Sequence, residues 1–310
     1  MSRKVAFVTG ASRGIGKACA RYLAEAGFDI ALTARTVHEG ESREHSSTVK
    51  SSNTKPLPGS LDATAALVAE TGREVMIVPA DILDYATIGA AVTQVLERWG
   101  RIDVVVNNAR YIGPGHMDRL LDTPLELLDK HLQGNVLTPI LIAKMVIPKM
   151  IEHGGGHIIN ITSASGYADP TKPAGEGGWG MGYGISKGAM HRVAGFLHIE
   201  HSPQGVYSYN VQPGYISTER IKADMAGFGF ADNGQPPDVV GAVCAWLATS
   251  PEAKDYSGKN IEAQFFCHER KLLPWWAGPQ PNEAAITYDT SGADLMRLEA
   301  ELLAQSLGTS

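Results

Sequence analysis

Cysteine is scarce in this chain: Cys19, Cys244 and Cys267 are its only three, and no two form a Cys-x-x-Cys pair. An odd, scattered set excludes a disulfide framework and points to a reducing, cytoplasmic setting. Charge is also thin. Only 19% of residues are charged, the net charge is −6, and no basic block occurs, which excludes nucleic acid as the main partner. Long apolar runs are missing. The longest, Val136 to Ile147, is interrupted by Thr138, Pro139 and Lys144, too short and too polar for a bilayer span. Ser2-Arg3-Lys4 leads straight into an apolar stretch, so no secretory leader is expected. His198 and His201 share a helical face without a third ligand, and His268-Glu269 lacks the second histidine of a zinc-protease pattern, so no metal is expected.

What the chain does contain is apolar strand, glycine turn and helix, repeated. Val5-Ala6-Phe7-Val8 reads as a buried strand, Thr9-Gly10-Ala11-Ser12-Arg13-Gly14-Ile15-Gly16 as the turn, and Lys17 to Leu23 as a helix start. The glycines let backbone approach a pyrophosphate, and the helix N-terminus offers free N–H groups and partial positive charge. The spacing Gly-x-x-x-Gly-x-Gly also resembles a nucleotide phosphate loop. It fails as one, because Ala11 replaces that loop's first glycine and Ala18 its magnesium-binding hydroxyl.

Further strands follow at Phe28–Thr33, Val75–Val78, Ile102–Val106, His157–Ile161, Val206–Val211 and Asn260–Phe266. Helical spacing lies between them: Ser60 caps one helix that stops at Gly72, Ile88 to Trp99 form another ending at Gly100, and long helices run near 124–153 and 183–201. Continuous apolar strands alternating with helices make one doubly wound α/β domain with a parallel sheet. Thr36 to Gly59 is a long polar insertion, read as a solvated loop ahead of the alternative that its basic residues fold over the adenosine end of the cofactor. Residues 167–182 form a second, Gly- and Pro-rich insertion.

Ligands of such sheets bind beyond the carboxyl ends of the strands. There the second strand ends in Ala34-Arg35 instead of the acidic residue that meets a free ribose hydroxyl. Arg35 and Arg13 suit a 2′-phosphate, so NADP(H) is expected ahead of NAD(H). Asp81 and Ile82 follow the third strand at the adenine end, and Asn107-Asn108-Ala109-Arg110 closes the fourth. Tyr183 and Lys187 are one helical turn apart and share a face. A free tyrosine titrates near about 10, and a nearby ammonium with a cationic nicotinamide favours its phenolate, which makes a tunable acid/base. Ser163 ends the neighbouring strand within reach of a reacting oxygen, and Asn135 is placed to hold a water linked to Lys187.

These pieces resemble the short-chain dehydrogenase/reductase family. Thr9-Gly10-Ala11-Ser12-Arg13-Gly14-Ile15-Gly16, Asn107-Asn108-Ala109, Asn135, Ser163, Tyr183-x-x-x-Lys187 and Pro213-Gly214 run in the family's order over roughly residues 4 to 266. The resemblance implies a seven-stranded Rossmann sheet of order 3-2-1-4-5-6-7 over residues 1–267, with 268–310 as an extension. It implies that Tyr183 donates or accepts the proton, Ser163 steadies the substrate, Lys187 binds ribose and lowers the tyrosine pKa, and Asn135 completes the proton path. Gly10, Ser12, Arg13, Gly14, Ile15, Gly16, Asn108, Ala109, Pro213, Gly214, Ile216 and Thr218 would then contact cofactor. The implied activity is hydride transfer between NADP(H) and a small carbonyl or secondary alcohol, and the implied assembly is a homodimer or homotetramer. A cofactor-binding sensor with little turnover is the alternative, and it would be expected to have a broken Ser-Tyr-Lys set. A sugar-nucleotide epimerase expects Gly-x-x-Gly-x-x-Gly, which is absent.

The departures are local. Arg110 stands where the family has glycine after Asn-Asn-Ala. It either binds an acidic substrate at the cleft mouth or packs its stem on the surface with a solvated head. The gap from Ser163 to Tyr183 is long, which leaves Ser165 as the alternative hydroxyl. Trp179, Met181, Trp275 and Trp276 suggest an apolar substrate. The tail ends in a helix capped by Ser291 with Leu295, Leu298 and Leu302 on one stripe. It covers the cleft, covers a neighbouring subunit, or packs on its own domain.

Overall fold

Strand β1, Lys4–Thr9, alternates its side chains between two cores. Ala6 and Val8 pack on one side of the sheet, Val5 and Phe7 on the other. The same division holds in β4 (Val104–Asn107) and β5 (Gly156–Ile161): Val104, Val106, Ile159 and Ile161 face one core, Val105 and Ile158 the other. A strand buried on both faces has no polar side, which is why these segments read as unbroken apolar runs. The computed structural model describes residues 3–230 and 232–279. The helix expected at Ser291 lies outside the described residues.

With β2 (Phe28–Thr33), β3 (Val75–Ile77), β6 (Val206–Gln212) and β7 (Asn260–Glu262), the strands form one seven-stranded sheet. Its order is β3-β2-β1-β4-β5-β6-β7, and every described pairing is parallel. The chain starts in the middle, runs outward through β2 and β3, then crosses back to β4. That reversal opens a crevice between the carboxyl ends of β1 and β4. Helix α1 (Gly14–Glu25) contributes Cys19, Ala20 and Leu23 to one core, and α7 (Asp238–Thr249) adds Val240 and Leu247. On the other face, α3 (Tyr85–Trp99) and α5 (Thr138–Glu152) supply Ile88, Val92, Ile142, Val146 and Met150.

The helix boundaries follow capping chemistry. Ser60 accepts from the Ala63 amide at the start of α2 (Leu61–Ala69), Asp84 caps α3, and Gly100 ends α3 in the left-handed region at φ 73°. The glycine turn is fixed more tightly still. A Cβ on Gly16 would sit 2.2 Å from the Gly10 carbonyl oxygen, so only hydrogen lets α1 start this close to β1.

Three expectations are corrected. The single helix expected near 124–153 is α4 (Leu125–Leu132), a π turn over Gln133–Leu137, and α5. Together they make one helical stretch, Leu125–Glu152, that by length and composition is apolar enough to cross a membrane. More than half of its apolar window is buried in this domain, where Ile142, Val146 and Met150 pack under the sheet. The seventh strand stops at Glu262, and Ala263–Glu269 is helix α8, which buries Ala263, Phe266 and Cys267 on one helical face. The third correction concerns the polar insertion. Thr36, His45, Ser46, Ser47, Thr48 and Leu57 are buried, so the segment is not a solvated loop.

Candidate active site

Helix α6 (Met181–His201) begins at the carboxyl edge of the sheet, and Tyr183 is its third residue. Close approach of α4 permits this: a Cβ on Gly182 would meet His131 Cδ2 at 2.6 Å. One turn on, Lys187 reaches back under Tyr183. Its Nζ donates to the Ile161 carbonyl at 2.7 Å and lies 5.8 Å from the Tyr183 ring centre. Burial pushes the Lys187 amine down to about 7, with the Arg110 charge adding to the shift.

Ser163 follows β5 and caps a short 3-10 turn, Ala164–Gly166. Its hydroxyl accepts from the Ser165 amide at 3.3 Å and from Ser165 Oγ at 3.0 Å, so the two candidate serines are one hydrogen-bonded pair. His191 Nε2 is bonded to the Ser163 carbonyl at 3.1 Å, tying this turn to α6. Asn135 lies in the π turn and is buried. Its Oδ1 accepts from the Tyr111 amide at 2.6 Å, and its Nδ2 donates to Ser186 Oγ at 2.9 Å, which donates in turn to the Tyr183 carbonyl at 2.9 Å. The Asn135 side chain thus ties the exit of β4 to the start of α6, with one amide hydrogen and one oxygen lone pair beyond these two bonds.

Around the Tyr183 ring stand His116, with its centre at 4.6 Å, Trp179 at 5.2 Å and the Arg110 guanidinium carbon at 5.4 Å. Trp179 continues into Phe230 at 4.6 Å, and Phe230 into Tyr215 at 6.4 Å, which makes an aromatic wall. Of the other aromatic and methionine candidates, Met181 and Trp275 are exposed, and Trp276 donates to Gln235 at 2.8 Å. The Arg110 head lies over the phenol, so the alternative of a solvated surface head is overturned.

The crevice is lined by Gly10, Ser12, Arg13, Gly14 and Ile15 from the glycine turn, by Arg35, Asp81 and Ile82, by Asn108, Ala109 and Arg110, and by Thr218 and Arg220. Asn108 Nδ2 donates to the carbonyls of Thr9 at 2.9 Å and Gly10 at 3.2 Å, which holds the glycine turn against β4. Gly16, Tyr183, Lys187, Pro213, Gly214 and Ile216 do not line this crevice. Gly16 is pressed under the turn, Ile216 is buried, and the carbonyl of Pro213 is held by Gln264 at 3.2 Å. Arg35 faces Asp81 at 3.8 Å. Arg13 is already engaged: its Nε donates to Pro58 at 2.9 Å and its Nη2 to Gly59 at 2.7 Å. Among the described residues no group of three His, Cys, Asp or Glu is placed to hold a metal ion.

The 36–59 insertion is a strap. It leaves β2, crosses the carboxyl edge and docks on two other segments. Met117 N donates to the Ser47 carbonyl at 2.8 Å, and Asp118 accepts from Thr48 Oγ1 at 2.5 Å and Val49 N at 2.8 Å. Arg220 Nη2 donates to Ser47 Oγ at 2.7 Å and the His45 carbonyl at 3.2 Å, and Asn53 donates to Asp224 at 3.0 Å. His116, Arg220 and the strap contacts carry no motif in the sequence. A run such as Ser46-Ser47-Thr48 carries no apolar signal, and only its partners from far along the chain make its burial tolerable.

Burial also fixes an acid limit. His131, His157 and His191 are each pushed down to about 4, in every case chiefly by burial. Below the ordinary histidine pKa of about 6.5 the unfolded chain takes up protons that the folded chain refuses until about pH 4, so stability falls as pH falls through that window. At pH 5 the loss is about 2 kcal/mol for each histidine. Melting temperatures taken between pH 7.5 and 5 should drop steeply, and a flat profile would contradict the assignment.

A family model described as short chain dehydrogenase matches residues 4–56 and 55–226. Dehydrogenase/reductase SDR family member 7 of Homo sapiens is 30% identical over 301 residues, covering 94% of this chain and 81% of that protein. Cyclohexanol dehydrogenase of a Rhodococcus species is 29% identical over 250 residues, 77% of this chain and 87% of its own. The crystal structure of a short-chain type dehydrogenase/reductase from Mycobacterium marinum superposes with a TM-score of 0.66 at 26% identity, covering 84% of this chain and 93% of that one.

Proposed function

The chain belongs to the short-chain dehydrogenase family, and from that membership we propose that it is an NADP(H)-dependent oxidoreductase that interconverts a small carbonyl compound and its secondary alcohol. The observation that carries this reading is the pairing of Tyr183 with Lys187, whose Nζ lies 5.8 Å from the ring centre, beside Arg110, which lies over the same ring and lines the crevice. The residues present fit a dinucleotide. The turn at Gly10 and Gly16 leaves no room for side chains, and the α1 N-terminus opens onto the crevice. When bound, the cofactor supplies the hydride in reduction and accepts it in oxidation.

The chain's own residues manage the proton. In reduction Tyr183 Oη gives its proton to the carbonyl oxygen as that oxygen gains the electron pair of the C=O π bond. The Lys187 ammonium opposes the phenolate charge left behind. Ser163 Oγ donates to the same oxygen and holds its lone pair toward the phenol. Oxidation runs these roles in reverse, with the phenolate taking the alcohol proton. The test is reduction of a panel of neutral and anionic oxo compounds followed at the nicotinamide absorbance. No turnover with either cofactor would remove the redox reading.

Preference for the 2′-phosphorylated cofactor rests on Arg35, whose only described ionic partner is Asp81 at 3.8 Å, and on Arg43, which donates to the Arg35 carbonyl at 3.0 Å. Arg13 borders the same end but is tied to the strap. Arg35→Ala should raise the KM for NADPH about 10- to 100-fold, the worth of one charge-assisted contact, and leave that for NADH nearly unchanged. An NADH preference in the unaltered chain would overturn the choice.

Assembly as a homodimer or homotetramer is supported by the outer face of α6, where Ile185, Phe196 and Ile199 are exposed three and four turns apart, and by exposed Leu125 on α4. A monomer in light scattering would count against assembly.

A further inference from the structure

We propose that Arg110 and Arg220 form an anion-binding site beside Tyr183, and that the substrate is an acid: an oxo acid in reduction and the hydroxy acid in oxidation. This rests on the oxidoreductase reading and names its substrate class.

Arg220 is 4% exposed and borders the crevice. The strap uses only its Nη2, through Ser47 Oγ and the His45 carbonyl. Its Nη1 and Nε have no hydrogen-bond partner. The nearest carboxylate, Asp224 Oδ2, is 3.9 Å from Nε and stands 2.8 Å from His45 Nδ1, while the other Asp224 oxygen accepts from Asn53. Arg110 borders the same crevice. Its Nη1 has only long contacts, to the Tyr111 carbonyl at 3.5 Å and the His116 ring nitrogens at 3.4 Å, and among the described residues no carboxylate is paired with it. Asp118, the other acid near the site, is consumed by Thr48, Val49 and the Gly115 amide. Two guanidinium groups and the Lys187 amine thus converge on one region where, among the described residues, the one carboxylate beside Arg220, that of Asp224, reaches it only at 3.9 Å.

A buried guanidinium with two nitrogens, and so three N–H groups, unpaired is costly, and a second guanidinium beside it raises the cost. A bound carboxylate offsets both, because its two oxygens match the donor fork of arginine. The position of the pair identifies whose anion this is. The pyrophosphate belongs to the α1 N-terminus and the 2′-phosphate to Arg35, whereas Arg110 lies over the phenol of Tyr183. An anion held there sits on the molecule whose oxygen that phenol protonates. The aromatic wall of Trp179 and Phe230 leaves the rest of that molecule apolar surroundings.

Two measurements on the full chain test this. In the first, calorimetry of the chain saturated with NADP+ compares butanoate with butanamide, so the result does not depend on turnover. Butanoate should bind at least about tenfold tighter, and Arg110→Gln should erase the difference. That variant is the cleaner one, because Arg110 anchors no other segment, whereas Arg220→Gln also loosens the strap. Equal binding of acid and amide overturns the site. So does a loss of NADP+ affinity in Arg110→Gln without any butanoate binding to the unaltered chain, since the arginine would then serve the cofactor. In the second, kcat/KM for 2-oxobutanoate, 3-oxobutanoate and 4-oxopentanoate is compared with that for their methyl esters. At least one acid should exceed its ester about 100-fold, and the ratio should collapse in Arg110→Gln and narrow in Arg220→Lys. Esters reduced as well as acids would sink the acid-substrate inference and leave the oxidoreductase reading intact. No reduction of acid or ester would remove that reading and the acid-substrate claim with it, and the calorimetry alone then upholds or overturns the anion site.

Discussion

Tyr183→Phe should lower kcat by about a thousandfold, within the range a positioned general acid supplies, while the cofactor still binds. The substitution removes one oxygen and keeps the ring. The packing against His116, Trp179 and Arg110 therefore survives, and so does the helix turn that Ser186 and Asn135 hold. No neighbour can replace the lost proton. Burial holds His116 well below its ordinary pKa, with Arg110 and Arg220 adding to the effect, so it is neutral at working pH and a poor acid. Ser163 and Ser165 are hydroxyls bonded to each other, and Lys187 Nζ is turned to the Ile161 carbonyl. Ser163→Ala should cost less, because Ser165 Oγ lies 3.0 Å behind it. The measurement is kcat with the best substrate of the panel, alongside cofactor affinity by fluorescence. Retained turnover with intact cofactor binding would remove Tyr183 from the chemistry.

The sequence made the sheet legible for a physical reason. Val5 to Val8, Val104 to Val106 and Ile158-Ile159 need apolar side chains on both faces, and that requirement shows as composition. Caps were legible too, since Ser60 and Gly100 act through their own backbone neighbours. Tyr183 and Lys187 were readable because a helix fixes the geometry of residues four apart. What escaped depends on partners distant in the chain. Ser47 is buried because Met117 and Arg220 meet it, from 70 and 173 positions away. Arg110 was left with two readings because exposure is a property of the fold, not of the residue. The short β7 is a different kind of miss. Ala263, Phe266 and Cys267 recur at helical spacing, a signal present in the sequence but masked by the aromatic pair Phe265-Phe266.

The strap supplies the other large expected effect, through Asp118. This buried carboxylate accepts three hydrogen bonds: Thr48 Oγ1 at 2.5 Å, Val49 N at 2.8 Å and Gly115 N at 2.8 Å. Asp118→Ala leaves the buried Thr48 hydroxyl and Gly115 amide without acceptors, at about 1–3 kcal/mol for each, while the Val49 amide lies nearer solvent and costs less. The Met117–Ser47, Arg220–Ser47, Arg220–His45 and Asn53–Asp224 bonds remain, so the strap should loosen locally around Thr48 and Val49 and the sheet should stay folded. Hydrogen exchange read peptide by peptide should rise at least tenfold across 44–52 and 113–120, with β1, β4 and β5 unchanged. Exchange at 44–52 equal to that of the unaltered chain would mean that Asp118 does not hold the strap. Asp118→Asn should fall between the two, because its oxygen keeps one or two of the donors while its NH2 group faces the third. The consequence for chemistry runs through Arg220. Ser47 Oγ and the His45 carbonyl fix one guanidinium nitrogen, and with the strap loosened that head is held less firmly at the crevice. Asp118→Ala should therefore raise KM for an acidic substrate more than it lowers kcat, since it spares the phenol and the amine and removes only what steadies the anion.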